Sequence, residues 1–516
     1  MAAFVFRRLL ASVLILLGAS FLVYMMMAFT LDPLRDLRES RSATRDIQMA
    51  DRIARLDLNS PWIVRYFDWL RGAASCVAPI GPLECDLGLN RSGQSVNSLL
   101  AGALGSTLRL VTVSTVAAWV VGITVGIVSA LRQNSGFDYG VTFTAFLFFS
   151  LPSFWVAVLM KEFVALPVNA FFEDPSLPWW AYVLVFVVFG TIMQSALAGD
   201  RRRRLIVFAG AGAVATGLLA LLVTTQWFLD PGFGYVGVVL MAAVIGGLTM
   251  VVLAGTKHRG AQITAGVTAV LGVVSYPLVQ IPFNNAPSIG LILGLAVAAI
   301  AVGMAVGWLA GGYDRGMQMR LGAIIAFLIG AVILLDRFMQ AWAPYLNYTP
   351  VQARSGPVPT VGSSTPLLDG SFWVEGLDLG VSLLLPTFAL VLVSIATYSR
   401  YTRAGMIDVL GQDYIRTARA KGLPERVVVV RHAFRNSLIP LATIVATDIG
   451  ALLGGAVITE KVFSIPGMGA LFTDSLLRDD PNPVMAFFLV VAAFAILFNF
   501  IADMSYAVLD PRVRSH

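Results

Sequence analysis

The sequence predicts an all-α polytopic membrane protein, and three observations carry that prediction. The chain is 57% apolar and only 13% charged, whereas soluble globular domains carry about 25% charged residues. Apolar stretches of about 20 residues, the length of one bilayer crossing, recur from end to end. The turns between them alternate between basic and non-basic, as loops on opposite sides of a membrane do. The mean hydropathy of +0.79 agrees. The net charge of +6 needs no nucleic acid to explain it, because the basic residues collect in those turns without an aromatic-basic stripe. With only two cysteines, neither a Cys-rich metal site nor a CxxC redox pair can form.

The first span, 9–29, follows Arg7-Arg8, which places the N-terminus in the cytoplasm. It is long and lacks a small-x-small cleavage site, so it reads as a retained signal anchor. Residues 30–102 are polar and rich in helix formers and read as an external subdomain, since long loops translocate largely regardless of their charge. Cys76 and Cys85 fall in it, around Pro79, Gly81 and Pro82. On an oxidising face the pair reads as a disulfide closing a small loop, with two unpaired thiols as the alternative. Spans two and three, 104–131 and 139–166, are joined by a short cytoplasmic turn, and Pro152 should kink the third. Lys161 and Glu162 near its outer end are adjacent and so do not face each other on a helix, which favours interfacial snorkelling over a buried functional pair.

Residues 170–340 hold about six further apolar stretches of spanning length: 180–197, 205–224, 235–253, 263–281, 289–309 and 321–335. Basic turns at 200–204, 256–260 and 314–320 alternate with turns around Asp230-Pro231-Gly232 and Asn284-Asn285-Ala286-Pro287 that lack Lys and Arg. Leu197-Ala198-Gly199, Leu253-Ala254-Gly255 and Leu309-Ala310-Gly311 recur at a spacing of 56, and Arg203, Arg259 and Arg315 share that period. A fixed period implies tandem units, here three helical hairpins. An even number of spans leaves the topology of the flanking chain unchanged, so the stretch reads as an added module. An irregular external loop, 341–378, follows. Three more spans, 381–398, 439–458 and 484–508, complete the chain, with Arg512 and Arg514 placing the C-terminus inside as well.

Between the first two of these lies a basic cytoplasmic loop, 400–436. Its stretch from Gln412 to Pro424 is too polar to cross a bilayer. Gly422 fits a helix C′ position and Pro424 the first position of a following helix, so two short helices joined by a tight turn are expected at the membrane surface. On chemistry alone this is equally an ordinary basic loop.

No enzyme constellation emerges. The three His are scattered at 258, 432 and 516, the Gly-x-x-x-x-Gly-Lys-Ser/Thr phosphate cradle is absent, and nothing suggests a Ser-His-Asp triad. Within the spans, Asp448 and Asp503 are the ionisable candidates. Each reads either as a structural partner of a neighbouring helix or, for Asp448, as a group facing a watery pathway.

The 412–435 segment resembles the cytoplasmic EAA coupling loop of ABC-importer permeases, in the form found in the B-type subunit of the oligopeptide/dipeptide family. Arg416-Thr417-Ala418 stand at the Glu-Ala-Ala positions, Gly422 is the motif Gly, and His432-Ala433-Phe434-Arg435 replace Ile-x-Leu-Pro. Both departures are usual in the peptide branch. The resemblance extends to the stretches 58–67 and 150–155, to Arg435-Asn436-Ser437-Leu438-Ile439-Pro440, to Val462-Phe463-Ser464-Ile465-Pro466-Gly467-Met468-Gly469, and to Leu509-Asp510-Pro511-Arg512. It implies a type I permease core of about six helices built from 1–169 and 379–516, with 170–340 as an unusual insertion.

It further implies a bacterial cytoplasmic (inner) membrane protein that imports short peptides by alternating access. The partners would be a homologous second permease subunit, two cytoplasmic ATPase subunits and an external substrate-binding protein. ATP and magnesium would sit on the ATPases and no cofactor on this chain. Arg416, Thr417, Ala418, Lys421, Gly422, Pro424, His432 and Arg435 would make the ATPase contact. Glu460, Phe463, Pro466, Gly467 and Gly469 would lie at the external mouth, or equally form a fixed turn without ligand contact. Nickel-chelate or glycoside cargo is the alternative within the family, and an ion-coupled secondary transporter the alternative outside it.

Overall fold

The structure is a computed structural model that describes residues 2–77, 85–196, 200–255, 258–348, 351 and 356–509. The chain forms two compact units: Met1–Val164, Thr360–Ser363 and Ser382–His516 make the first, Ala165–Pro359 and Ser364–Val381 the second. Among the described residues, ten helices are long and apolar enough to cross a membrane. Trp179–Ser195 is a shorter apolar helix, and the span expected at 439–458 includes residues whose side chains are not described.

The first unit opens with α1 (Ala2–Thr30), the polar helices α2 (Arg35–Glu39) and α3 (Arg45–Arg55), and the aromatic-rich α4 (Trp62–Val77). Aromatic edges hold α1 to α4, with the Phe21 and Tyr24 rings 5.3 and 5.5 Å from Tyr66. Asp36 accepts from Arg52 at 2.6 Å and also pairs with Arg91. Arg91 in turn donates its backbone N–H to Asp480 at 2.9 Å, which joins the polar subdomain to the chain 389 residues later. Cys76 and Cys85 are disulfide-bonded; Pro79, Gly81 and Pro82 lie outside the described residues.

Helix α5 (Val96–Leu131) starts before the expected 104, and α6 (Gly136–Ser150) follows it. The kink expected at Pro152 is a full break. Leu151 and Pro152 are extended, with ψ of 129° and 140°, and α7 (Ser153–Met160) begins anew. Proline lacks the N–H needed to continue the ladder and drives its predecessor out of the helical region, so 139–166 is not one continuous helix. A π-turn, Lys161–Ala165, then leads into α8 (Leu166–Glu173).

In the second unit the inserted stretches form three hairpins. They are α9 (Trp179–Ala196) with α10 (Arg201–Thr224), α11 (Gly234–Leu253) with α12 (Arg259–Asn285), and α13 (Ile289–Ala310) with α14 (Arg315–Gln340). Small residues bring backbones together, as membrane helices require when no solvent drives them. A Cβ on Gly303 would sit 2.2 Å from the Gly322 carbonyl, and one on Gly307 2.1 Å from that of Gln318. Of the repeated triplets, Leu197-Ala198-Gly199 lies outside the described residues. The left-handed glycine is Gly255 after α11 but Gly312 after α13, one position later in the repeat. After α15 (Trp342–Leu346), helix α16 (Phe372–Leu410) starts within the stretch expected to be loop. Buried Asp378 fixes the chain before it, accepting from the Thr365 backbone N–H at 2.7 Å and the Tyr345 hydroxyl at 3.2 Å.

The first unit resumes with α17 (Asp413–Ala420) and α18 (Glu425–Val427). Helix α18 runs through a π-turn, Val428–Phe434, into α19 (Arg435–Phe463), followed by α20 (Met468–Leu477) and α21 (Pro481–Leu509). Only the first helix of the expected pair is therefore short; the second is continuous with a span. Asp510, Pro511, Arg512 and Arg514 lie outside the described residues, as does His516.

Candidate coupling loop and external turn

The 412–435 loop is amphipathic in a simple way. Ile415 and Ala418, three apart on α17, are buried with Ala130, Met406, Val428, Val429 and Ala433. Ala418 therefore faces its own subunit's core rather than outward, unlike its expected role as a contact. Arg416, Thr417 and Lys421 are exposed, as are Gly422, Pro424 and Arg435, and His432 is half-buried.

Gly422 takes φ +73° immediately after the helix, and its N–H donates to the Arg419 carbonyl at 2.9 Å. Any Cβ there would meet nothing within 4 Å, so the requirement for glycine is conformational. Pro424 is extended and serves as the N-cap of α18, one position before the helix start expected for it. Arg419 spans the turn to Glu425 through two hydrogen bonds of 3.1 and 2.6 Å. The Arg419 guanidinium holds the Glu425 carboxyl below its usual range.

Beneath this loop, Asp138 at the start of α6 is buried and accepts from Arg403 of α16 twice, at 2.6 and 2.8 Å. Ser129 donates at 2.5 Å and the Asn134 backbone at 3.0 Å. The Arg403 hydrogen bond above all holds this carboxyl far below the ordinary carboxylate range, with Ser129 and Asn134 adding to it. Sequence reasoning missed the pair. The only available signal was Ser135 three residues before Asp138, a helix-start pattern, and it does arise: Asp138 N donates to the Ser135 hydroxyl at 3.2 Å.

The segment 460–470, expected at the external mouth, is built around a carboxylate. Glu460, fully buried near the end of α19, accepts from the Thr107 hydroxyl at 2.5 Å and from the Gly469 and Ala470 backbones at 2.7 and 3.3 Å. It thereby satisfies the free N–H groups at the start of α20. Gly467 and Gly469 are required by crowding, since a Cβ would sit 2.4 Å from the Glu460 carboxyl and 2.3 Å from the Val457 Cα, respectively. Phe463 is buried as well, so among the five residues singled out from sequence only Pro466 is exposed.

Lys161, expected to snorkel, instead donates to the Val462 carbonyl at 3.0 Å with its ammonium 5.7 Å from the Phe463 ring. The π-turn beginning at Lys161 positions it. Asp448 of α19 is half-buried against Tyr398 of α16, and Tyr398 shares an apolar cluster with Trp119 and Leu441. The side chain of Asp503 is not described.

Residues 318–515 match the family described as binding-protein-dependent transport system inner membrane component. The chain is 40% identical over 176 residues to the dipeptide transport system permease protein of Escherichia coli (strain K12), which is 33% of this chain and 52% of that protein. It thus spans about half the length of that relative, and the relative is the shorter of the two. The glutathione transport system permease protein of Pectobacterium atrosepticum is 34% identical over 238 residues, 46% of this chain and 70% of the relative. The oligopeptide transport system permease protein of Bacillus subtilis aligns at 25% identity across 99% of both chains. An exposed helix–turn packed against the ends of its neighbouring helices and these relatives point the same way: the chain belongs to the family of binding-protein-dependent transport system inner membrane components.

Proposed function

We propose that this chain is the permease subunit of an ATP-driven importer that carries short peptides across the bacterial cytoplasmic membrane by alternating access. The observation that carries the reading is the geometry of α17 and its turn. An exposed, stapled helix–turn stands on an apolar foot, Ile415 and Ala418, that packs against residues from the ends of α5 and α16. Such a rigid lever is what a subunit without its own nucleotide cradle needs to receive work from outside. ATP and magnesium are taken by two cytoplasmic ATPase subunits, while a homologous second permease and an external substrate-binding protein complete the assembly.

ATPase closure displaces α17, and its buried foot passes the displacement to α5 and α16. The Asp138–Arg403 pair makes the start of α6 follow α16. Arg416, Thr417, Lys421 and Gly422 form the contact surface, with both termini on the same cytoplasmic side. Glu460 and its two glycines keep the external mouth in shape.

Short peptides are favoured as cargo because the similar proteins are dipeptide, oligopeptide and glutathione permeases. Proteoliposomes containing the complete assembly should take up labelled di- and oligopeptides with ATP. Uptake of nickel chelates or glycosides in preference to peptides would overturn the cargo assignment. Asp448→Asn separates a pathway role from a structural one: impaired uptake at unchanged thermal stability supports the pathway, and wild-type uptake removes it.

A further inference from the structure

We infer that the inserted hairpins hold one chain of an anionic phospholipid in a cavity between α12, α13 and α14, with its headgroup at Arg337. The cavity, about 370 Å³, is lined almost wholly by apolar groups, including Gly272, Phe283, Ala299, Gly330 and Ile333. That volume is within the range of sites that hold an organic ligand and far beyond a single water. Small residues from all three helices create it; a Cβ on Gly330 would meet nothing within 4 Å.

Along α12 the lining runs from Thr268 to Phe283, a rise of about 22 Å at 1.5 Å per residue. One leaflet of hydrocarbon is about 15 Å deep, so the cavity offers a tilted chain the depth of a single leaflet. A peptide lodged there would face hydrocarbon with its amides unpaired, which disfavours it strongly.

The mouth is charged. Arg337 lies one turn beyond Ile333 on the same face of α14. It donates to Asn284 at 2.6 Å, beside cavity-lining Phe283, and to Gln340 at 3.0 Å, with its guanidinium 5.6 Å from the Trp373 ring. The neighbouring carboxylate of Asp336 is occupied by the Tyr276 hydroxyl at 2.7 Å, Gln340 at 2.8 Å and the Phe233 backbone at 2.6 Å. Among the described ion pairs Arg337 has no carboxylate partner, and its side chain is only half-buried. A guanidinium so placed suits a phosphate oxygen. On the orientation proposed above this is the outer leaflet, and the site does not depend on peptide being the cargo.

The test is native mass spectrometry of the purified full-length chain released from nanodiscs of phosphatidylglycerol or of phosphatidylethanolamine, which needs no transport partner. One phosphatidylglycerol should remain bound, retained in preference to phosphatidylethanolamine, and excess glycerol phosphate, which has the charge without the chains, should not displace it. Arg337→Gln should lower that preference about fivefold, the usual effect of one basic residue near a lipid surface. Gly330→Leu, which fills open space, should abolish retention of either lipid at undiminished thermal stability. Equal retention of the two lipids by the wild type, or wild-type retention by Gly330→Leu, would each overturn the inference.

Discussion

The first unit contains two turns punctuated by glycine and proline, at 421–424 and 464–469, that look alike in sequence and are built in opposite ways. Around Gly422 there is open space, and the turn is closed by an exposed Arg419–Glu425 staple. Around Gly467 and Gly469 there is none, and the closing group is a buried carboxylate with three donors. The first turn keeps its shape while leaving its surface free, whereas the second uses its surface up on itself. The difference separates a place where a partner can push from a place that holds a frame.

Substitutions should sort by that distinction. Gly469→Val has nowhere to put its side chain and should cost several kcal/mol, at the upper end of overpacking, read as loss of folded protein on size-exclusion chromatography. Glu460→Ala strands three donors and should cost about 2–4 kcal/mol; a melting temperature equal to wild type would remove the carboxylate from its framing role. Arg403→Gln leaves Asp138 buried and unpaired, worth about 2–3 kcal/mol once the partial exposure of Arg403 is allowed for.

The same pair sets a pH dependence. The Asp138 carboxyl is held well below its ordinary value. Its contribution is therefore fully present above the unfolded carboxylate pKa near ~4 and is lost only as pH falls through the lowered folded value. Thermal stability should show no step from this pair between about pH 5 and 8, and a loss centred there in wild type but not in Asp138→Asn would contradict it. Gly422→Ala should cost only about 1 kcal/mol, through its left-handed backbone. Arg419→Ala should cost less still, since exposed pairs are worth about 0.2–1 kcal/mol.

Most of the fold was legible in the sequence because a bilayer turns hydropathy into helix length. The six inserted stretches needed only composition, the alternation of basic turns and the 56-residue period. The break at Pro152 was underestimated because proline inside a membrane span is compatible with a kink or a stop, and only the extended Leu151 settles it. The helix–turn at 412–424 was legible through Gly422 and Pro424, whose backbone preferences are local.

The residues that tie the first unit together were not legible. Thr107 and Glu460 are 353 residues apart, Asp138 and Arg403 265, and no local pattern announces a partner at that distance. Lys161 misled for a related reason. A lysine at a span's end snorkels by default, and the carbonyl that captures it, that of Val462, lies on a distant helix.

The central claim is that the exposed face of α17 and its turn meets the ATPase. Single cysteines at Thr417 and Lys421, and at the external control Pro466, can be introduced without background from the disulfide-bonded Cys76 and Cys85. Each variant is then assembled with cysteine-bearing ATPase subunits and oxidised. The account predicts cross-links to the ATPase from 417 and 421, altered in yield by ATP, and none from 466. Absence of cross-links from both 417 and 421 in an assembly that still imports peptide would contradict it.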